Sequence, residues 1–162
     1  LLVKKDLGLA MDMVSSTLKQ VAEQKAPLDW FVLSKSLKST YASENQPHVR
    51  AWKRMIARGA QNAPEIGSRM PYIIVAAKKA NVPLYERTEH PDYFLEQKLK
   101  YCAKYYLENA RDVVERLLGP TGRKSEVTKL FSESLIAADH KNTGQMTLLQ
   151  FGLKRKLTSD TK

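Results

Sequence analysis

Apolar residues recur at helical spacing in several stretches of the chain. Within residues 7–22 the spacing alternates between four and three, so the apolar side chains fall on one face of a helix. Asp6 directly precedes this stretch and is a suitable N-cap. The pattern therefore predicts an amphipathic helix whose buried face consists of Leu7, Met11, Val14, Leu18 and Val21.

Four further helices follow from the same periodicity. A basic helix is predicted over residues 48–58, a short helix from Pro91, and longer helices over residues 103–118 and 124–137. Gly59 is a natural C-terminal stop for the basic helix. The predicted core stripes of the two longer helices are Tyr106, Ala110, Val113, Val114 and Leu117, and Val127, Leu130, Phe131 and Leu135.

Strand character is limited to two short segments. Residues 70–76 are rich in β-branched and aromatic side chains and predict a strand, and residues 30–33 predict a short buried strand or turn. Gly67 indicates a tight backbone approach or a positive φ. Polar segments with Pro or Gly predict the loops. The fold class expected is mainly α with one or two short β-strands, an α+β arrangement.

The length of 162 residues favours one domain, which we expect to span residues 1–137. Residues 138–162 are polar, contain Gly, and end in Thr-Ser-Asp-Thr-Lys, so they predict a flexible C-terminal tail. No internal repeat is visible.

The charge balance restricts the class of partner. The chain has 27 Lys and Arg against 17 Asp and Glu, a net charge of +10, which favours a polyanion. A membrane surface is the competing polyanion, but no apolar run approaches 18 residues, so no membrane span is predicted. Cys102 is the single cysteine; it predicts a buried thiol, no internal disulfide and a reducing, intracellular compartment. One Cys and three His make no zinc site.

Six short phrases follow one another along residues 3–119. They are Val-Lys-Lys-Asp at 3–6, Leu-Ser-Lys-Ser-Leu at 33–37, Pro-His-Val at 47–49, Gly-Ser-Arg-Met-Pro-Tyr-Ile-Ile-Val at 67–75, Tyr-Glu-Arg-Thr-Glu-His-Pro at 85–91 and Tyr-Cys-Ala-Lys-Tyr-Tyr-Leu at 101–107. Their order and spacing resemble the C-terminal thumb region of family B DNA polymerases, especially the delta-like, large-DNA-virus and archaeal-type branches. Residues 1–26 would then be the palm-to-thumb junction helix.

The resemblance implies a role in holding the primer–template duplex on its minor-groove side, through phosphates and without sequence preference. The rest of the polymerase, with its palm domain, is an implied partner. The family's palm aspartates hold a divalent metal such as Mg²⁺, and this chain has no phrase of that kind. We therefore expect a non-catalytic piece of a polymerase, inactive alone, with no catalytic, metal or cofactor residues and a nuclear or viral site of replication.

The implied DNA-binding residues are mostly cations. Each could instead belong to a solvated surface, and His48 is expected to cap the local backbone. Tyr105 and Tyr106 point about 100° apart on a helix, so one is expected in the core and the other near nucleic acid. The predicted DNA-binding set is Lys35, Lys38, Arg50, Lys53, Arg54, Arg58, Arg69, Lys104 and Tyr105.

The tail carries Gln145, Leu148 and Phe151 in a Gln-x-x-aliphatic-x-x-aromatic pattern. This pattern resembles the sliding-clamp-binding peptide of replication proteins, in which the two apolar side chains form one plug. A basic cluster follows it, while Gly152 replaces a second large apolar residue that is common in such peptides. The alternative is an apolar segment that packs back on the thumb.

Two other classes of function compete with this hypothesis. A stand-alone basic nucleic-acid-binding or processivity module would account for the charge but not for the ordered phrases. An independent enzyme would need carboxylate pairs such as Asp92 with Glu96 or Glu108 with Asp112. Because these pairs have helical spacing among many cations, they are more simply ion-pair partners on the surface.

Overall fold

The structure, a computed structural model, describes residues 6–77 and 81–143, and the side chains of all of these except residues 140–143. It contains helices α1 (Leu7–Ala22), α2 (Pro47–Ala57), α3 (Pro91–Glu96), α4 (Ala103–Leu118) and α5 (Lys124–Thr143), and strands β1 (Leu33–Ser36), β2 (Arg69–Ile74) and β3 (Thr88–Glu89). The predicted mainly α, α+β class is confirmed. The described residues divide into two compact units, one of Gln24–Tyr106 and one built on α1, α5 and most of α4.

The helices match the apolar pattern closely. Helices α1 and α4 have the predicted bounds, and the N–H of Leu9 donates to Asp6 Oδ1 at 2.9 Å, which confirms the predicted cap. Helix α2 begins at Pro47, one residue earlier than predicted. Helix α5 continues to Thr143, into the segment predicted as the start of the tail. None of the helices in the described residues has both the length and the apolar character that crossing a bilayer requires.

The sheet is antiparallel with the order β1-β2-β3. Leu33 of β1 lies opposite Tyr72 of β2, and Ser36 lies opposite Arg69. Segment 30–33, predicted as a short buried strand or turn, begins in a 3₁₀ turn (Leu28–Phe31) and ends at Leu33, the first residue of β1. The third strand was not predicted, because two residues are too few to show an alternating pattern.

The chain enters β2 through a tight turn that requires Gly67. Its φ is +94°, the N–H of Ser68 donates to the carbonyl of Glu65 at 3.0 Å, and the N–H of Gly67 donates to the carbonyl of Leu37 at 2.9 Å. The N–H of Leu37 in turn donates to the carbonyl of Ser68 at 2.8 Å. This is a type II turn joined to a bulge with glycine at its first position. The predicted positive φ of Gly67 is confirmed.

The core of the unit Gln24–Tyr106 lies between α2 and the sheet. Its centre is the buried cluster of Leu37, Ala51, Met55 and Met70, with Trp52 and Tyr72 packed against it. The Tyr106 hydroxyl receives the N–H of Ile74 at 2.8 Å and donates to the carbonyl of Phe31 at 2.9 Å. A buried hydroxyl thus joins the sheet to the preceding turn, and burial raises the pKa of Tyr106 above its usual range.

In the helical unit, α1 packs against α5. The buried side chains include Leu18 and Val21 of α1 and Val127 and Phe131 of α5, as predicted. The predicted α4 stripe is partly wrong, because Val113 and Leu117 are 52% and 56% exposed while Leu107 and Leu118 are buried. The two possible stripes differ by one residue, or about 100° around the helix. Packing rather than periodicity selects between them.

Candidate nucleic-acid interface

Three predicted DNA-binding cations lie on or shortly after the paired strands β1 and β2. Lys35 of β1 lies opposite Met70 of β2, and the next pair along the two strands is Ser36 with Arg69. Lys38 lies two residues after the end of β1. All three cations are exposed, as are Ser34 and Ser36. We call Ser34, Lys35, Ser36, Lys38 and Arg69 the basic edge. Within the described part of the chain, no carboxylate lies within ion-pairing distance of these cations.

Arg69 is held in place by its neighbour strand. Its Nε donates to Ser34 Oγ at 3.0 Å and a terminal nitrogen donates to the Ser34 carbonyl at 2.7 Å. Because a guanidinium has five N–H donors, further donors remain for a ligand. The side chain is therefore fixed before any ligand binds, which lowers the entropy cost of binding.

Tyr41 and His48 lie beneath the end of the basic edge. The N–H of Lys38 donates to the Tyr41 hydroxyl at 2.7 Å, and that oxygen is 3.1 Å from His48 Nε2 and 3.3 Å from the Ser36 carbonyl. Nδ1 of the buried His48 has no hydrogen-bond partner in the described residues. The contacts of the Tyr41 hydroxyl are all accounted for if His48 is neutral with its proton on Nε2: His48 donates to Tyr41, and Tyr41 donates to the Ser36 carbonyl.

The prediction that His48 caps the local backbone is wrong. Helix α2 has Gln46 at its N-cap and no side-chain cap, and the imidazole points to Tyr41 instead. Burial, and then the charge of Lys35, lower the pKa of His48. The capping histidine is His90, whose Nδ1 receives the N–H of Asp92 at 3.2 Å at the start of α3.

The arginines of α2 are in a different environment from the basic edge. Arg50 pairs with Glu86, Arg54 Nε lies 3.2 Å from Glu89 Oε1, and Arg58 makes two bonds to Glu89 at 2.7 and 3.0 Å. We call these five residues the arginine cluster. The two glutamates belong to the segment around β3, so the pairs fasten that segment to α2.

Two further contacts immobilise these arginines. Arg54 donates to the carbonyl oxygen of buried Thr88 and to its hydroxyl oxygen, the latter at 2.8 Å. Burial lowers the pKa of Arg54, while the charges of Glu89 and Glu86 act in the opposite direction. The Arg58 guanidinium lies 3.6 Å from the centre of the Tyr93 ring. The sequence correctly places these arginines on one helix, but the structure surrounds them with intramolecular partners. Their role in DNA binding stays a prediction.

The remaining candidates lie outside both groups. Lys53 of α2 forms an exposed ion pair with Glu44. Lys104 is exposed in the first turn of α4, and Tyr105 is half-buried with its ring edge-on to Tyr106. Tyr106 is therefore the core member of this pair. Tyr105 also lies near Tyr72 of β2, whose pKa is raised by burial and then by that neighbour.

Comparison with known proteins gives the family. The model of DNA polymerase family B matches residues 2–121. The chain belongs to DNA polymerase family B. It is 30% identical to the DNA polymerase delta catalytic subunit of Plasmodium falciparum (isolate K1 / Thailand) over 97% of this chain and 14% of that protein. It is 37% identical to the same subunit of Caenorhabditis elegans over 67% of this chain and 10% of that protein.

A viral relative of family B matches as well. The DNA polymerase of Guinea pig cytomegalovirus (strain 22122) is 39% identical over 55% of this chain and 8% of the viral protein. The chain therefore spans about 8–14% of the length of these relatives. The family resemblance carried by the ordered phrases is confirmed.

Two predicted features of this family B chain need separate mention. The clamp-binding residues Gln145, Leu148 and Phe151 lie outside the described residues. Within the described residues, no three His, Cys, Asp or Glu side chains come together in a way that could hold a metal ion.

Sequence reasoning missed the residues that decide which cations are available to bind a phosphate. Glu86 and Glu89 lie in the phrase at 85–91, three residues apart, and pair with arginines 31 to 36 positions earlier. Tyr41, which fixes Lys38 and Ser36, lies in a segment read only as a loop. A possible signal for the glutamates was the high charge of α2 itself, since a partly buried basic face requires acidic neighbours.

Proposed function

We propose that this chain is the thumb portion of a family B DNA polymerase, and that its basic edge holds the primer–template duplex by the sugar-phosphate backbone. The observation that carries this proposal is that Lys35, Lys38 and Arg69, on or shortly after the paired strands β1 and β2, are exposed and have no carboxylate partner in the described residues. The arginine cluster, in contrast, already has its counterions. The basic edge is thus the best available phosphate-binding surface.

The chemistry of the basic edge favours binding without sequence preference. Ammonium and guanidinium groups and serine hydroxyls are the usual donors to phosphate oxygens, and such contacts position a protein on a duplex without reading bases. Neutralising phosphates releases counterions, so the affinity should fall steeply as salt rises. A polymerase that moves along its template requires this kind of contact.

The other parts of the proposal follow from family membership. The palm and the remainder of the polymerase are the expected protein partners, and the divalent metal of catalysis belongs to the palm. The expected location is the nucleus or a viral replication site. The competing proposal, a stand-alone nucleic-acid-binding or processivity module, predicts the same binding by the basic edge but no effect of these residues on polymerase activity.

The deciding experiment measures binding of the full chain to fluorescent duplex, primer–template and single-stranded DNA across a salt series. The test variant is Lys35→Gln with Lys38→Gln, and the matched control is Lys100→Gln with Lys129→Gln, two other exposed lysines. We expect the test pair to make the negative slope of log K against log salt shallower by about 1.8, since each lost phosphate contact removes about 0.9 from its magnitude. Equal effects of both pairs would contradict the proposal.

We propose in addition that the tail tethers the polymerase to a sliding clamp. The support is the Gln145, Leu148 and Phe151 pattern followed by Lys154, Arg155 and Lys156. Leu148→Ala with Phe151→Ala should abolish binding to a clamp in a pull-down while duplex affinity is unchanged. Equal loss of both activities would mean that this segment packs on the thumb instead.

A further inference from the structure

The outer edge of β1 is open, because β1 is the first strand in the order β1-β2-β3. In an antiparallel pair, successive residues alternate between facing the partner strand and facing away from it. The N–H of Leu37 bonds to the Ser68 carbonyl, so Lys35 and Leu33 also face β2. Ser34 and Ser36 must then direct their N–H and C=O groups away from the sheet.

Both outward carbonyls already have donors. Arg69 reaches across β1 to the Ser34 carbonyl at 2.7 Å, and the Tyr41 hydroxyl lies 3.3 Å from the Ser36 carbonyl. The two outward N–H groups have no acceptor in the described residues. The open edge therefore presents hydrogen-bond donors while its acceptors are occupied.

This asymmetry restricts what can bind there. An added β-strand needs acceptors for its own N–H groups as well as donors for its carbonyls. A phosphate diester only accepts hydrogen bonds and carries a negative charge, which suits Lys35, Lys38 and Arg69 beside the edge. Two outward N–H groups on alternate residues are about 6.7 Å apart along a strand. That spacing is comparable with the spacing of neighbouring phosphates along one nucleic-acid strand.

We propose that the N–H groups of Ser34 and Ser36 bind two successive phosphates of one DNA strand, so that the backbone of β1 itself forms part of the grip. This inference rests on the proposed function, and it assigns the contact to main-chain N–H groups, which only proline or a backbone-modified residue removes. The lysines supply charge, and the strand edge sets the register of the phosphates.

Proline substitution tests the Ser36 contact, because proline lacks an N–H and is tolerated on edge strands where that N–H faces solvent. Ser36→Ala is the matched control, since it removes the same hydroxyl and keeps the N–H. We expect Ser36→Pro to bind duplex DNA about tenfold more weakly than Ser36→Ala at every salt concentration. The salt slope should be the same in both variants because neither changes the charge.

A second variant covers the case in which Ser36→Pro fails to fold by circular dichroism. Semisynthesis with the α-hydroxy analogue of serine replaces the same N–H by an oxygen and leaves the backbone torsions free. The ester chain should show the same tenfold loss relative to the unmodified chain. Unchanged affinity in a folded proline or ester variant overturns this inference, while the lysine variants above still test the proposed function. Absence of duplex binding by the unsubstituted chain would overturn both.

Discussion

The basic edge and the arginine cluster contain similar numbers of cations within the same compact unit, yet their surroundings differ. Lys35, Lys38 and Arg69 are exposed and lack carboxylate partners in the described residues, whereas the arginines of α2 bind Glu86 and Glu89. A partly buried cation must be paired or its desolvation destabilises the fold. Clustered positive charge in a sequence can therefore serve either folding or binding, and the position of the nearby acids decides which.

The largest effect is expected from breaking the arginine cluster. Arg54→Met removes the group that joins Glu89 to the carbonyl of Thr88, and the Glu89 side chain is only 12% exposed. We expect a loss of about 3 kcal/mol in the free energy of unfolding, since Glu89 loses one of its two arginine partners and both oxygens of Thr88 lose the donor that Arg54 supplies. Chemical denaturation measures this quantity.

A matched control for that variant is available on α4. Arg111 is exposed and makes a single ion pair with Glu115 at 3.7 Å. Arg111→Met should cost less than about 0.5 kcal/mol. If both substitutions destabilise the chain equally, the arginine cluster is no more than a set of surface ion pairs, and its separation from the basic edge loses its basis.

A somewhat smaller effect, with a second readout, is expected from the acidic side of the cluster. Glu89→Gln removes the counterion of Arg58 and one of the two counterions of Arg54, and should cost about 2 kcal/mol in the free energy of unfolding. The same substitution frees positive charge, so duplex affinity at low salt should rise. Stability and DNA affinity would then move in opposite directions, as measured by denaturation and by fluorescence anisotropy. A decrease in both would show that the arginine cluster is needed to shape the DNA-binding surface.

The helices could be predicted because each repeats one apolar stripe over several turns and ends at a recognisable stop. The bounds of α1 and α4 follow from Asp6, the apolar spacing and Gly119. The exposed and buried sides of α4 could not be settled, because two apolar stripes one residue apart both have helical period.

The candidate site was harder to predict than the helices, because partners that are distant in sequence decide which cations are free to bind a ligand. The glutamates that neutralise α2 are more than 30 residues away in sequence, and nothing local assigns them. The direction of the N–H groups of β1 depends on the register with β2, which the bulge at Gly67 sets. Lys35 and Arg69 could be singled out from the phrases, but their adjacency required the strand pairing.

A moderate effect is expected from lowering the pH, because His48 beneath the basic edge is buried and neutral. Its pKa is lowered in the folded chain, chiefly by burial, so the unfolded state binds the proton more readily. Stability should therefore be constant above about pH 7 and should fall as the pH drops through the ordinary histidine value of about 6.5. Each such histidine contributes a slope of at most about 1.4 kcal/mol per pH unit.

His90 has a lowered pKa for the same main reason, so a variant is needed to separate the two histidines. His48→Gln keeps an N–H donor for Tyr41 and removes one titrating group. The slope of stability between pH 6.5 and 5 should be lower in His48→Gln than in the unsubstituted chain, by urea denaturation at each pH. An unchanged slope would mean that His48 binds its proton as readily in the folded chain as in the unfolded chain, which would contradict the lowered pKa.

The smallest effect on stability is expected at the basic edge. Lys35→Gln with Lys38→Gln removes two exposed charges that have no ion-pair partner in the described residues, so the free energy of unfolding should change by less than about 0.5 kcal/mol. Loss of mutual repulsion between the cations could even raise it slightly. The same variant should lose more duplex affinity than Arg54→Met, Glu89→Gln or His48→Gln. A clear drop in stability would mean that these lysines, like the arginines of α2, stabilise the fold. A surface that evolved to bind a ligand contributes little to the free energy of unfolding of the unbound chain.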